Sequence, residues 1–308
     1  MLKILAEALS FVLIIIIGYR LKKSGFFAQN DYRLISKIVM NITLPGAIIT
    51  SFAHFNMDYS LFTMVFFGLA SNAVMVMLAF MLTRRETGAA KIFYIFSTSG
   101  YNIGNFTLPF VQNFLGHTGV IALCMFDLGN SVMCTGLTYA LAASVVGDAY
   151  GHKDPISWSS IGGKLIHSAP FVVYITMVML VLLGIKLPQE VYTFTGILGS
   201  ANTFLSLLMI GMMFELKMDK KSLGYVREIV FSRYFVGILC SGTVLYFQPF
   251  SREMNAVLAA VFMAPSTAIG PIFIEKMGGN ASLAGVVNSI TICCSVVVFV
   301  AFFTLLHI

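Results

Sequence analysis

The sequence predicts an all-α polytopic membrane protein with ten transmembrane helices, arranged as two inverted five-helix repeats. Three observations lead to this prediction. The 308 residues are 58% hydrophobic and only 10% charged, whereas soluble domains carry about 25% charged residues. Apolar stretches long enough to cross a bilayer follow one another, separated by short basic loops. Two of these stretches, about half a chain apart, are interrupted by glycine and proline.

The ten apolar stretches each approach the length of about 20 residues that a helix needs to cross a membrane. In order along the chain they are residues 2–20, 34–53, 60–82, 91–115, 118–146, 165–185, 191–214, 228–248, 254–275 and 281–307. The sequence therefore predicts a multi-pass protein in contact with lipid along most of its length.

Positive charge is unevenly distributed between the loops. The loops that follow odd-numbered stretches, counted together with Arg233 just inside the eighth stretch, carry sixteen of the nineteen Lys and Arg residues: Arg20, Lys22, Lys23, Arg33, Lys37, Arg84, Arg85, Lys91, Lys153, Lys164, Lys217, Lys220, Lys221, Arg227, Arg233 and Lys276. Because cytoplasmic loops carry the excess of Lys and Arg, this side is predicted to be cytoplasmic and both termini are predicted to lie outside. We expect the protein in the cell inner (plasma) membrane.

The two halves of the chain resemble each other. Pro109 and Pro271 are 162 residues apart, and each is followed seven residues later by glycine and then by another apolar stretch. The predicted repeats are residues 1–150 and 151–308, which together form one membrane domain. Since each repeat contains five spans, the second enters the membrane from the opposite side, which makes the repeat inverted.

The interrupted stretches are the predicted substrate site. Proline removes a backbone donor and glycine loosens the helix, so free backbone groups at membrane depth must face protein or a water-filled cavity. The start of a half-helix carries partial positive charge and suits an anion, although the polar side chains here could also serve only to satisfy the freed backbone. The candidate substrate-binding residues are Asn102, Gly104, Asn105, Thr107 and Pro109 in the first segment, Pro265, Ser266, Thr267 and Pro271 in the second, and Asn130 in the fifth span.

Asp127 is the candidate for ion coupling, with Asn288 as a second member of that site. It lies near the middle of the fifth span, where a carboxylate is costly and should face the interior with partners. Asn130 and Ser131, at i+3 and i+4, share its helix face. Two interpretations remain open: a proton carrier, cation ligand or gate element, or a carboxyl that packs helices together.

Several function classes are unsupported. The sequence contains no Walker motif, nucleophile elbow or zinc motif, so we expect neither an ATP-driven pump nor an enzyme, and no cofactor or metal. The net charge of +6 is explained by membrane topology, and no nucleic-acid partner is expected. The five cysteines all lie inside apolar stretches, where they are expected as buried small hydrophobic residues.

Four motifs resemble the auxin efflux carrier family. They are Asn41-Ile-Thr-Leu-Pro45 in the second span, Asn102-x-Gly-x-x-Thr-Leu-Pro109 in the fourth, Asp127-Leu-Gly-Asn130 in the fifth, and the late Ala264-Pro-Ser-Thr267 segment. Thr107 departs from the usual glycine, and Phe204 stands where many members have proline. The long cytoplasmic loop of the plant members is absent, which favours the compact bacterial branch of malate or malonate permeases.

The resemblance implies two broken helices that cross at mid-membrane, a scaffold half and a moving transport half. It further implies a secondary active transporter that moves a small organic anion, such as a malate- or malonate-type carboxylate, by alternating access. Proton coupling fits, as does sodium; a sodium-coupled symporter of the bile-acid-transporter type and a ligand sensor that moves nothing are the alternatives. A homodimer is also compatible with this prediction.

Overall fold

A computed structural model describes residues 2–53, 58–86, 88–146, 162–163, 165–214 and 222–305, and these residues form helices and connecting turns without any strand. The principal helices are α1 (Leu2–Lys23), α2 (Tyr32–Ser51), α3 (Tyr59–Leu82), α4 (Gly88–Thr98), α5 (Leu108–Phe114), α6 (Gly116–Ser144), α7 (Ala169–Leu182), α8 (Gln189–Met213), α9 (Leu223–Phe247), α10 (Arg252–Phe262), α11 (Gly270–Lys276) and α12 (Ala281–Leu305). The predicted repeat boundary at residues 150 and 151 lies outside the described residues.

Each of the ten apolar stretches overlaps helix among the described residues. Six helices among the described residues, namely α2, α3, α6, α8, α9 and α12, are long and apolar enough to cross a membrane by length and composition. The fourth and ninth stretches are each divided into two shorter helices, α4 and α5, and α10 and α11. A multi-pass helical membrane protein follows from these helices, and the count of ten membrane crossings stays a prediction.

The first interruption lies at the N-terminal end of its segment, which contains both glycine and proline. The backbone leaves the helix at Gly100, where φ is +78°, a conformation that glycine adopts without strain. A π-helical turn at Ile103–Thr107 then leads directly into α5, and Pro109 is the second residue of that helix. Pro271 holds the corresponding place in α11.

Two pairs of helices approach each other closely through glycine. A Cβ atom built on Gly68 of α3 would lie 2.2 Å from the carbonyl oxygen of Phe126 in α6, and one on Gly129 would lie 2.2 Å from the carbonyl oxygen of Val65. Gly18 of α1 and Gly211 of α8 make an equivalent contact, with Cβ-to-oxygen distances of 2.3 and 2.1 Å. Small residues let helix backbones touch where lipid supplies no hydrophobic driving force.

A buried aromatic cluster joins α5 to α12 and α1. Phe110 and Phe114 of α5 pack against Phe299 and Phe303 of α12, and Phe11 of α1 meets both α5 rings at centroid distances of 5.0 and 5.9 Å. All five side chains are buried. The first half-helix is therefore anchored by aromatic packing at one end while its other end remains at the interruption.

The predicted sidedness can be tested with introduced cysteines. A cysteine next to Lys22, at the end of α1, and a cysteine next to Asp58, before α3, should be labelled from opposite sides of the membrane by an impermeant thiol reagent. One membrane crossing, α2, separates the two positions. Labelling of both cysteines from the same side would contradict the ten-span topology.

Candidate functional site

The two interrupted segments contact each other through their backbones, and this contact is called the crossing below. The N–H of Asn102 donates to the carbonyl of Pro265 at 3.0 Å. A Cβ atom on Gly100 would lie 2.7 Å from Cγ2 of Thr267. Glycine at position 100 therefore allows both the left-handed backbone conformation and the close approach of the second segment.

A cavity of about 1320 Å³ leads to this crossing. Its inner part is lined by Tyr101, Asn102, Asn130, Thr267 and Asn288. Its mouth is lined by residues from the end of α1 and the start of α2, including Lys22, Lys23, Asn30 and Arg33, and by Glu275 of α11. The cavity thus extends from the basic segment between α1 and α2 to the buried residues at the crossing.

Asn130 of α6 satisfies the backbone at the first interruption. Its Oδ1 accepts from the N–H of Tyr101 at 3.1 Å, and its Nδ2 donates to the carbonyl of the same residue at 3.1 Å. Asn72 of α3 donates to Asn130 Oδ1 at 3.1 Å and accepts from the N–H of Gly100 at 2.8 Å. Two buried amide side chains therefore replace the helical hydrogen bonds that the break removes.

Asp127 lies one turn before Asn130 and borders the cavity. Its Oδ1 accepts from Asn130 Nδ2 at 2.8 Å, and its Oδ2 accepts from the hydroxyl of Tyr174 in α7 at 3.2 Å. The carboxyl group therefore connects the first interruption to a neighbouring helix. Tyr174 is itself 1% exposed, so this contact is made inside the bundle.

Arg233 corrects the prediction from the loop charges. It was counted among the loop cations, but its side chain is 1% exposed. Among the described residues, its guanidinium donates to four backbone carbonyls: Thr98, Gly100 at 2.8 Å, Ala264 at 3.0 Å and Pro265 at 3.1 Å. The first two carbonyls belong to one interruption and the last two to the other.

The ring of Tyr101 adds to the environment of this cation. The guanidinium carbon of Arg233 lies 4.8 Å from the ring centroid of Tyr101, an attractive cation–π distance. The carbonyls at the ends of α4 and α10 carry partial negative charge. Arg233 therefore neutralises two helix ends at once and joins the two crossing segments.

The second interruption is satisfied by α12. The N–H of Ser266 donates to Oγ1 of Thr291 at 3.2 Å, and the Ser266 hydroxyl lies 3.5 Å from Asn288 Oδ1. Thr291, which the sequence analysis did not select, thus takes the backbone contact that Asn130 makes in the first half. Asn288 borders the cavity beside it.

The structure brings most of the sequence-predicted residues together. The residues that line the cavity are Asn102, Gly104, Asn105, Asp127, Asn130, Thr267, Pro271 and Asn288. The remaining candidates, Thr107, Pro109, Pro265 and Ser266, are not part of its lining. Thr107, for example, donates its hydroxyl to the carbonyl of Asn102 at 3.0 Å and is buried, so it supports the turn and does not face the cavity.

Four residues of the site were missed from the sequence: Asn72, Tyr174, Arg233 and Thr291. Asn72 and Arg233 had a usable signal, since each is an isolated strongly polar residue within an apolar helix. Tyr174 and Thr291 had none, because single hydroxyl groups are common in membrane helices. Within the described ranges, no group of three or more His, Cys, Asp or Glu side chains could hold a metal ion.

Comparison with known families supports a role in transport. Residues 4–153 match the family model described as membrane transport protein. The match covers the first predicted repeat and indicates a membrane transporter, consistent with the absence of enzyme motifs. It supports the resemblance to the auxin efflux carrier family. A search of curated proteins gave no match.

Proposed function

We propose that this protein is a secondary active carrier that moves a small organic anion, of the malate or malonate type, by alternating access. The observation that carries the proposal is the cavity, which runs from the basic segment between α1 and α2 to the crossing of the two interrupted segments. Binding at the point where two halves of a bundle meet is the arrangement expected of a secondary transporter. The structure then corresponds to a state open to the predicted cytoplasmic side.

The charges at the mouth favour an anion. Lys22, Lys23 and Arg33 all border the cavity entrance, and Glu275 is the acidic residue among them. A funnel lined mainly by one sign of charge raises the local concentration of the opposite sign and speeds association. The side chains at the inner end are amides and hydroxyls, which can hold a carboxylate without a further buried cation.

Contacts between corresponding parts of the two halves support an inverted repeat. Thr43 Oγ1 in α2 donates to Asn202 Oδ1 in α8 at 3.0 Å, and Asn102 bonds Pro265 as described. The two residues of the first pair are 159 positions apart in the sequence, and those of the second pair have a similar separation in the sequence. In an inverted repeat, a helix next to the two-fold axis contacts the equivalent helix of the other half. The contacts of Thr43 with Asn202 and of Asn102 with Pro265 are both of this kind.

Asp127 is the proposed coupling group, and a proton is the proposed coupling ion. It borders the cavity, it is buried, and it is bound to Asn130, which holds the first interruption. A change in the protonation state of Asp127 would therefore change the hydrogen bonding at the crossing through the amide side chain of Asn130.

Removal of the amide of Asn102 or the hydroxyl of Thr267 should weaken malonate binding. Both residues border the inner cavity, and within the described part of the chain the Asn102 side chain makes no hydrogen bond of its own. Loss of one hydrogen bond to a charged ligand costs about 1.5–3 kcal/mol, so Asn102→Ala and Thr267→Ala should each raise the dissociation constant about tenfold or more.

The matched control for these two variants is Asn113→Ala. Asn113 lies on α5 outside the cavity lining, and its Nδ2 donates to the carbonyl of Pro109 and to Thr203 Oγ1 at 2.8 and 3.1 Å. It should bind malonate as the wild type does. If Asn102→Ala and Thr267→Ala also bind normally in a titration of the purified proteins, the crossing is structural only.

Exchange in proteoliposomes tests the proposed function. Vesicles loaded with unlabelled malate or malonate should take up the labelled anion in counterflow, and an imposed inward proton gradient should drive accumulation in the absence of sodium. Accumulation that requires sodium would instead support the sodium-coupled alternative. Binding without any exchange would support a ligand sensor and contradict the proposal.

A further inference from the structure

A continuous chain of hydrogen bonds connects the buried cation Arg233 to the buried carboxyl group of Asp127. Arg233 Nη2 donates to the carbonyl of Gly100 at 2.8 Å. The N–H of the same peptide group, which belongs to Tyr101, donates to Asn130 Oδ1 at 3.1 Å, and Asn130 Nδ2 donates to Asp127 Oδ1 at 2.8 Å. One peptide group and one amide therefore separate the two ionisable side chains.

All dipoles in this chain point the same way. Each group accepts on the side of Arg233 and donates on the side of Asp127, so the positive end of each dipole faces the carboxylate. Aligned hydrogen bonds polarise one another in a low-dielectric interior. Arg233 and an ionised Asp127 therefore act as an ion pair through two intervening groups, although they do not touch.

We infer that Arg233 is the fixed counter-charge of the anion site, and that the bound anion and the ionised Asp127 are alternative partners for this one cation. When Asp127 is ionised, the crossing is electrically balanced and a further anion is disfavoured. When Asp127 takes up a proton, the positive charge of Arg233 is left without a carboxylate, and an anion in the cavity restores the balance. Asp127 then takes up one proton for each negative charge of the anion that Arg233 balances.

Arg233 acts in this scheme as a positioning residue and not as a direct ligand. It is absent from the cavity lining, and its donors are directed at the carbonyls of Thr98, Gly100, Ala264 and Pro265. Its charge reaches the anion through the peptide groups of the crossing, in particular the one shared by Gly100 and Tyr101. The inference rests on the proposed anion-carrier function and specifies how the charges of its binding site are balanced.

The other ionisable groups near Asp127 are weak acids that are ordinarily neutral. Cys124 lies on the same helix face, Cys134 follows Asn130 by one turn with its thiol donating to Asn130 Oδ1 at 3.4 Å, Tyr174 contributes its hydroxyl from α7, and Tyr101 stacks on Arg233. The parts of α2 and α3 that are buried at these contacts carry no ionisable side chain; α10 contributes Arg252 and Glu253 only at its start. Lys22, Lys23 and Arg33 lie at the mouth of the same cavity, and Arg233 is the buried permanent positive charge of this network.

Malonate binding to the purified full chain as a function of pH tests the inference, over a range in which malonate keeps its ionisation state. The wild type should bind about tenfold more tightly for each unit of falling pH where Asp127 titrates, since one proton is linked to binding. Asp127→Asn should bind tightly at every pH. Arg233→Gln should bind at least about tenfold more weakly at low pH, and its pH midpoint should lie higher, because ionised Asp127 has lost its cation.

Arg233→Lys keeps the charge and should retain the pH dependence, even if it is less stable. Lys186→Gln, which removes an exposed cation after α7, should bind as the wild type does. If Arg233→Gln does not fold, Arg233→Lys and Asp127→Asn still decide the question. A pH-dependent affinity in Asp127→Asn, or an unchanged midpoint in a folded Arg233→Gln, would overturn the inference.

Thermal unfolding without any anion separates this inference from the proposed function. Because Arg233 and Asp127 share one hydrogen-bond chain, the losses of stability in Arg233→Gln and Asp127→Asn should be non-additive in the double variant at a pH where Asp127 is ionised. Additive losses would contradict the inference whether or not malonate binds. Absence of malonate binding in the wild type, with non-additive losses intact, would instead contradict the proposed substrate class.

Discussion

Asp127→Asn is expected to preserve malonate exchange across the membrane and to abolish accumulation driven by an imposed pH gradient. Asparagine keeps the size of the side chain. Its single oxygen can still accept from Asn130, which lies 2.8 Å from the carboxylate, and its NH2 group can donate to the hydroxyl oxygen of Tyr174, which lies 3.2 Å from it. It cannot bind or release a proton. Binding and the movement of the bundle should therefore survive, while the link to the proton gradient is lost.

Tyr174→Phe is the matched control for Asp127→Asn. It removes one hydrogen bond to the same carboxyl group and should cost about 1 kcal/mol of stability, but it leaves Asp127 able to ionise. We expect it to accumulate malonate in response to the gradient. A role of Asp127 in packing alone would lower exchange and accumulation together in both variants, and a wild-type gradient response in Asp127→Asn would exclude it as the proton carrier.

Gly68→Val is expected to prevent the close packing of α3 on α6 and to have the largest effect on folding. The first atom of any side chain at this position would lie 2.2 Å from a backbone carbonyl oxygen, that of Phe126, and 2.9 Å from the backbone nitrogen of Asn130. These backbone atoms of α6 cannot rotate out of the way as a side chain can, so α3 and α6 must move apart. We expect a loss of about 3 kcal/mol or more, seen as a lower melting temperature and less monodisperse protein.

Gly242→Val provides the matched control within a helix of the same kind. Gly242 lies in α9, and a Cβ atom built there would meet nothing within 4 Å. Valine at this position should be tolerated with little change in melting temperature. Equal losses from the two substitutions would show that glycine is required for a reason other than the contact between α3 and α6.

The sequence was sufficient to locate the crossing segments because their signals are local. Gly100 and Pro265 interrupt apolar stretches, and Asn130 shares a helix face with Asp127 at a spacing of three residues. Within the first segment the break lies at Gly100, and Pro109 follows the π turn at Ile103–Thr107 as the second residue of α5.

Arg233 shows which part of the site could not be predicted from the sequence: its place in an apolar helix is a usable signal, but its binding partners are not. It follows Arg227 by six residues and therefore looks like the end of a basic loop. Only the packing of α9 against both interruptions reveals four carbonyls around its guanidinium. These partners are backbone atoms more than thirty residues away in the sequence. Every residue type has a backbone carbonyl, so the sequence does not indicate which carbonyls bind Arg233.

Two-sided labelling of a single cysteine at the inner end of the cavity tests alternating access most directly. Ser131→Cys, in a variant without the native cysteines, places a thiol on the cavity lining one turn after Asp127. An impermeant reagent should reach it from the basic side in the state described by the structure and, during turnover, from the opposite side as well, with malonate protecting it from both. Labelling from one side only under every condition would contradict a carrier mechanism.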